Sequence, residues 1–336
     1  MKNWKLLTVL MAMMLLVLAA CGSKDDAKKE DTGSKTDSKP AEEQKEEAST
    51  YPITIPAIKD GEDNFKEVTL DKIPENVVVF DYGFLDTLDA LDVKIAGLPQ
   101  KSVPEYLSKY TDTTYVNVGS LKEPDFEAIS SMNPDIIFIS GRQASAYDEL
   151  SKIAPTVYVG VDDKNFVESF KEKTELAGKI FGKEKEAADA FAAYEAKVEE
   201  VKAKTASAEE KALIVLANEG SLSAYGPGSR FGVIHDVYGV KAADEKIEAS
   251  THGATASFEY VRDTNPDILF VVDRDAAVNP EGESGTKAAI ENEIVGATNA
   301  AKNGKIFYLD PQVWYLSGGG LTSETQKVDD VLKAFN

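Results

Sequence analysis

The chain has 336 residues, with 37 basic and 58 acidic side chains, two histidines and one cysteine, for a formal charge of −21. A surface this acidic repels phosphate backbones and anionic membranes, so nucleic acid is excluded as the main ligand. One thiol and two imidazoles rule out a disulfide scaffold, a Cys-rich zinc or iron–sulfur site and a multi-histidine metal cage, while the length suits about two domains of ~150 residues each.

At the start of the chain, Lys2 and Lys5 precede an apolar run from Leu6 to Ala20, about the length of a secretory h-region and too short for a spanning helix with flanks. The run ends in Leu18-Ala19-Ala20-Cys21, and small residues directly before the only cysteine resemble a bacterial lipobox. Residues 1–20 therefore read as a lipoprotein signal peptide and Cys21 as the lipidated first residue of the mature chain. Residues 22–50 carry six Lys against nine Asp and Glu, with no aromatic and no Val, Ile, Leu or Met. Such a segment buries too little apolar surface to offset its ordering entropy, so 21–50 is expected to be a disordered tether. Together these segments predict a lipid-anchored protein on the extracellular face of a cell membrane, most simply that of a Gram-positive bacterium.

From Tyr51 onward, β-branched runs at 77–80, 135–140, 156–159, 213–217, 267–272 and 305–309 alternate with helical patterns. Apolar runs of this length without polar alternation suit strands buried on both faces, hence parallel sheets with crossover helices; the fold class is α/β. An internal repeat sets the domain count. Residues 125–143, DFEAISSMNPDIIFISGRQ, and 257–275, SFEYVRDTNPDILFVVDRD, share eight identities at one offset, including Phe126/Phe258, Glu127/Glu259, the Asn-Pro-Asp triplets and Arg142/Arg274. In each copy a helix ends before proline, a strand follows, and an Arg lies just beyond the carboxyl end of that strand, where open α/β sheets bind their ligands.

Residues 164–206 lack proline and show helical apolar spacing, with a break near Gly182; the second helix, about 183–204, would reach roughly 30 Å and suits a rigid connector. The organisation expected is an N-terminal lobe at 51–163, helices at 164–206 including one long inter-lobe helix, and a C-terminal lobe at 207–336.

Few residues are available for chemistry. His235 sits on a helical pattern beside Asp236 and reads as structural, whereas His252 lies in a small-residue loop, the kind of element on which ligand-contacting groups concentrate. No G-x-S-x-G, H-E-x-x-H, P-loop or dinucleotide fingerprint is present. A binding constellation remains. Of only four arginines, Arg142 and Arg274 are related by the repeat and Arg230 follows the strand at 213–217 through a Gly-Pro-Gly loop, so three converge on one expected cleft while 33 lysines serve the surface. A guanidinium is always charged and its planar fork grips two adjacent oxygens, as in a catecholate. Tyr82, Tyr225, Phe231, Trp314 and Tyr315 offer stacking faces, with Phe231 also reading as core.

From Val77 to the C-terminus the chain resembles the bacterial iron(III)–siderophore-binding lipoproteins of ABC importers, and more narrowly their petrobactin-type, catecholate-binding branch. The resemblance rests on the order and spacing of Phe80-Asp81-Tyr82-Gly83, Leu85-Asp86-Thr87-Leu88, Gly97-Leu98-Pro99, Glu123-Pro124-Asp125-Phe126-Glu127, Ser140-Gly141-Arg142, Gly228-Ser229-Arg230-Phe231-Gly232 and Asp310-Pro311 before Trp314-Tyr315. It implies the class III periplasmic-binding-protein fold, two Rossmann-like lobes with parallel sheets joined by a single long helix. It further implies that Arg142, Arg230 and Arg274 contact the catecholate oxygens, and that His252 and a tyrosine of the last strand-end segment can complete the iron shell when the siderophore leaves coordination sites open; that position aligns with Tyr315 or nearer Val313, two residues that share a face if the segment is extended. Glu127 and Glu259 are implied to dock on a homodimeric or heterodimeric permease driven by a cytoplasmic ATPase. The protein is then a monomer and not an enzyme, with no intrinsic cofactor; its ligand is an Fe(III)–siderophore complex. The competing cargoes in the same fold are a hydroxamate siderophore, haem or a corrinoid. With two lysines before residue 21 and three net negative charges over 21–50, residues 51–336 carry −20, so the arginines must build a positive pocket inside an acidic domain.

Overall fold

The computed structural model describes residues 50–280, 282 and 284–336; the expected signal peptide, Cys21 and the tether up to residue 49 lie outside them. Strands β1 (Ile53–Ile55), β2 (Ile58–Asp60), β3 (Asp63–Phe65) and β4 (Val68–Leu70) form two antiparallel two-stranded sheets, β1 with β4 and, nested between them in sequence, β2 with β3. The first lobe follows as β5 (Val77–Val79), α1 (Tyr82–Ala90), β6 (Gly97–Leu98), β7 (Val116–Asn117), α2 (Phe126–Met132), β8 (Ile136–Ile139), α3 (Tyr147–Ile153) and β9 (Thr156–Tyr158). Its sheet is parallel throughout, in the order β7-β6-β5-β8-β9. The order reverses between β5 and β8, and the residues just beyond those strands, Asp81 and Ser140 to Arg142, stand at the switch point where α/β sheets bind ligands.

The connection between lobes is helical, with the expected break at Gly182 and a long second helix after it. Helices α4 (Phe166–Phe181) and α5 (Glu184–Thr205) form an antiparallel hairpin that turns at Gly182, whose φ of 65° a side chain would oppose. Phe170 packs 5.2 Å from both Phe191 and Tyr194, and Gly178 lies so close to Ala187 that a Cβ there would stand 2.8 Å from the alanine methyl. Each helix serves both cores: Ala177, Ile180 and Ala187 join the first lobe's core, while Phe170, Tyr194, Val198 and Val201 join the second's.

The second lobe comprises β10 (Lys211–Asn218), β11 (Ser221–Tyr225), α6 (Val233–Asp236), β12 (Lys241–Ala242), β13 (Ala254–Ala256), α7 (Phe258–Thr264), β14 (Ile268–Asp273), α8 (Arg274–Val278), α9 (Thr286–Ile290), α10 (Asn299–Lys302), β15 (Ile306–Tyr308), α11 (Pro311–Leu316) and α12 (Leu321–Leu332). Strands β12, β10, β14 and β15 run parallel, but β11 and β13 add antiparallel neighbours, so this sheet is mixed rather than parallel. Glu219 (φ 50°) and Gly220 (φ 78°) make the tight turn that folds β11 back on β10. The segment beyond Asp310 also departs from expectation: it is helical, capped by the Asp310 carboxylate, not extended.

The two repeat copies fold alike. Asp125 and Ser257 cap the starts of α2 and α7, and Asn133 (φ 48°) and Asn265 (φ 47°) end them in the left-handed conformation that asparagine tolerates. The aspartate of each Asn-Pro-Asp then stitches its strand to the neighbouring one: Asp135 accepts from the amides of Glu75 and Asn76, and Asp267 from that of Lys211.

A second joint closes the lobes at the back of the cleft. The buried Asp86 carboxylate on α1 accepts from the amides of Thr322 (3.1 Å) and Ser323 (2.7 Å), capping α12 from the opposite lobe. Gly83 and Gly320 make this approach possible, since a Cβ on Gly83 would sit 2.0 Å from the Gly318 carbonyl oxygen and one on Gly320 would sit 2.3 Å from the Asp86 carboxylate. Burial pushes the Asp86 carboxyl up and the hydrogen bonds from Ser323 and Thr322 oppose it. Asp86→Ala leaves two buried amides unpaired and is expected to lower stability by about 1–3 kcal/mol, read as a reduced denaturant midpoint at unchanged slope; a midpoint equal to that of the unsubstituted protein would refute this joint.

Candidate ligand-binding cleft

A cleft of about 730 Å³ opens where the carboxyl ends of both sheets face each other. Ser140, Gly141 and Arg142 reach it from beyond β8, Gly228 and Arg230 from the loop after β11, Ala249 to His252 from the loop before β13, and Trp314 and Tyr315 from α11. Tyr315 is the hub. Its carbonyl oxygen accepts from the Nη2 of both Arg142 (2.8 Å) and Arg230, its hydroxyl accepts from Arg274 Nε (3.0 Å), and Arg274 Nη1 also donates to Asn218 Oδ1 at the end of β10 (2.6 Å). The guanidinium carbons lie 5.9, 4.3 and 5.7 Å from the Tyr315 ring centre for Arg142, Arg230 and Arg274. These bonds engage only part of each five-donor fork and fix the side chains in place; Arg142 and Arg230 line the cleft and keep further N–H groups for an anion, whereas Arg274 does not line it and meets it through the Tyr315 hydroxyl.

The arginines act on the phenol in turn. Burial alone would raise its pKa, but the Arg274 hydrogen bond and the charges of Arg230, Arg274 and Arg142 prevail and bring it below the usual tyrosine value. Burial and the like charge of Arg230 weaken the charged state of Arg142, against which Asp81 supplies compensation; an arginine nevertheless stays charged. Asp81 caps α1 at Phe84 (2.8 Å) and lines the cleft, its own carboxyl pushed up by burial.

The remaining residues singled out from sequence fall into three groups. His252 lies exposed on the cleft wall, its amide bonded to Ser250 Oγ (3.1 Å). Trp314 borders the cleft but is only 2% exposed, with Nε1 bonded to Asp330 (3.0 Å). Tyr82 and Tyr225 are placed otherwise than expected: Tyr82 is in the first lobe's core with its hydroxyl on the Pro99 carbonyl (2.7 Å), and Tyr225 packs edge-on against Phe231 in the second lobe's core. Neither lines the cleft, because burial of the ring against apolar neighbours outweighs exposing a stacking face. Val313, 1% exposed, is core as well, and in a helix it does not share the face of Tyr315. Glu127 and Glu259 are exposed in the first turns of α2 and α7. The His235 ring pairs through Nδ1 with the Val240 carbonyl (2.8 Å), burial lowers its pKa, and Asp236 accepts from the Gly228 amide (2.6 Å), so the pair shapes the Arg230 loop.

Sequence reasoning missed a set of cleft residues. Asp60 from β2, Asp162, Asp163, Lys122, Lys164 and Lys327 all line it, so the lysines do not all serve the outer surface. Among the described residues no group of three or more His, Cys, Asp or Glu side chains is placed to hold a metal ion.

Two α/β lobes joined at a helical hairpin, with a charged cleft at the strand ends, define a class III substrate-binding protein. A family described as periplasmic binding protein matches residues 77–313, and the chain belongs to that family, whose members serve transport rather than catalysis. It is 45% identical over 333 residues to the petrobactin-binding protein YclQ of Bacillus subtilis, covering 98% of each chain; the crystal structure of YclQ matches with a TM-score of 0.81 at 47% identity, over 85% of this chain and 99% of that one. The ferric-anguibactin-binding protein FatB of Vibrio anguillarum is 38% identical over 82% of this chain and 86% of its own. The periplasmic catecholate-siderophore binding protein VctP of Vibrio cholerae matches with a TM-score of 0.77 at 34% identity, over 84% of this chain and all of that one.

Because the three guanidiniums favour the phenolate, ultraviolet titration should show Tyr315 ionising below the ordinary value of 10.0, while Tyr82, Tyr110 and Tyr194 ionise above it. Tyr315→Phe should remove the earliest component; its persistence would show that the arginines do not control that phenol.

Proposed function

We propose that this protein is the lipid-anchored substrate-binding component of an ABC importer and captures an iron(III)–catecholate siderophore of the petrobactin type. The observation that carries the reading is the set of three guanidiniums arranged about Tyr315, two of which, Arg142 and Arg230, line the cleft. A deprotonated catecholate presents two vicinal anionic oxygens, which the forks grip, and its ring takes up the cation–π attraction, about 0.5–2 kcal/mol per contact. Neutral hydroxamate complexes have no need of such a nest. The names borne by the relatives, petrobactin-, anguibactin- and catecholate-siderophore-binding, point the same way.

In this reading Arg142, Arg230 and Arg274 bind the anionic oxygens. Tyr315, whose phenolate the arginines favour, and His252 on the facing loop supply donors to Fe(III) when the siderophore leaves coordination sites open. No bond in the ligand is made or broken. Glu127 and Glu259, exposed at matching positions of the two lobes, dock on the permease, and lipidated Cys21 tethers the protein to the extracellular face of a Gram-positive membrane.

Ferric petrobactin should quench Trp and Tyr fluorescence, and Arg230→Ala should weaken binding by on the order of 2–5 kcal/mol, roughly 30- to 5,000-fold, because ligand charge is left uncompensated. Unchanged affinity in that variant would overturn the pocket assignment, and equal or stronger competition by a ferric hydroxamate or haem would transfer the reading to those cargoes. Glu127→Ala combined with Glu259→Ala should leave that affinity intact and abolish iron uptake by cells; normal uptake would remove the docking role.

A further inference from the structure

Lys327 is the least expected of the cleft residues. It sits on α12, only 5% exposed, with its ammonium 2.7 Å from Glu324 Oε1 and 5.4 Å over the Trp314 ring, yet it lines the cleft. A buried ion pair is a weak source of stability, since desolvating both charges offsets their attraction. This pair is also incompletely used. Glu324 is fully buried; its Oε1 accepts from the Gly319 amide (2.9 Å) as well as from Lys327, and its Oε2 has no hydrogen-bond partner among the described residues. An ammonium has three donors, and Glu324 is the partner found for one of them, so two remain beside the cleft. The Lys327 charge is also felt within the cleft: burial pushes the Asp163 carboxyl up, and Arg230 and Lys327 both oppose that rise.

Building on the siderophore reading above, we propose that Lys327 is a fourth cationic contact for the bound anion and that Glu324 is its positioning residue. The arginines offer planar forks suited to vicinal oxygens; Lys327 offers a point charge from the floor of the cleft, suited to a single oxygen such as a carboxylate or a further phenolate of the same ligand. Glu324 holds the stem against Trp314 and keeps the ammonium from withdrawing toward solvent.

The test compares Glu324→Gln with the double variant Glu324→Gln/Lys327→Met, titrated with ferric petrobactin and with Arg230→Ala and the unsubstituted protein alongside. Neutralising position 324 in both variants avoids stranding a buried carboxylate, and methionine keeps the apolar stem, so the double variant should retain the thermal midpoint within a few degrees, whereas Glu324→Gln, which leaves the buried ammonium with a neutral partner, should lower it. The Glu324→Gln variant, whose neutral amide holds the ammonium less firmly in place, should bind several-fold more weakly than the unsubstituted protein. The double variant should bind about 10- to 100-fold more weakly than Glu324→Gln and lose affinity less steeply with added salt. Equal affinities and salt slopes in the two variants, with the unsubstituted protein binding well, would overturn the role of Lys327; failure of the unsubstituted protein to bind ferric petrobactin would instead overturn the siderophore reading. Where the double variant fails to fold, Lys327→Met alone is compared with Lys327→Arg, and matching affinity in those two gives the same refutation.

Discussion

Three guanidiniums gathered on one tyrosine are the constraint on which the rest of the structure depends. Like charges this close repel, and each loses hydration as it enters the cleft, so the nest persists only because fixed acceptors meet it: the Tyr315 carbonyl for Arg142 and Arg230, the Tyr315 hydroxyl and Asn218 for Arg274, and the Asp81 charge beside Arg142. Each acceptor is delivered by a strand end or by the helix that follows it. The sheet order of the first lobe, the length of β10 and the helical turn after Asp310 are therefore conditions for the site as much as features of the fold.

The two lobes are held at separate places. The α4–α5 hairpin contributes side chains to both cores, while Asp86 reaches across to cap α12 through a glycine-rich segment that allows backbone to touch backbone. Lys327 lies one turn beyond that cap, so the joint and the cleft share α12.

Much of this was legible in the sequence. Six apolar runs mark six strands because strands covered on both faces have no polar alternation, and the repeated Asn-Pro-Asp signals a left-handed cap, a helix stop and a strand start. Arg142, Arg230 and Arg274 stand out because arginine is scarce and strand ends are where α/β proteins bind. What escaped depends on distant packing. Ser221–Tyr225 is an alternating segment of only five residues, short of the apolar runs that mark the buried strands, and the Glu219-Gly220 turn pairs it with β10. Tyr82 and Tyr225 read as stacking faces until their rings are found enclosed by residues far away in the chain. Lys327 on an amphipathic helix resembles any solvated lysine, and nothing local distinguishes it from its neighbours, since what buries it is Trp314 and Glu324 beneath the cleft.

The contrast between an acidic exterior and the guanidiniums gathered on Tyr315 bears on the speed of capture. Residues 51–336 carry −20, so an anionic ligand approaching from a distance meets net repulsion and feels the arginines only within the cleft. Ions shorten the reach of the outer field to about 8 Å at physiological strength, yet they screen short contacts inside the cleft far less. Encounter is therefore slowest in dilute media and quickens as salt rises, the reverse of the electrostatic steering that speeds oppositely charged partners. A receptor built in this way is kinetically tuned to saline surroundings, and it discourages anions that lack the shape to reach the nest.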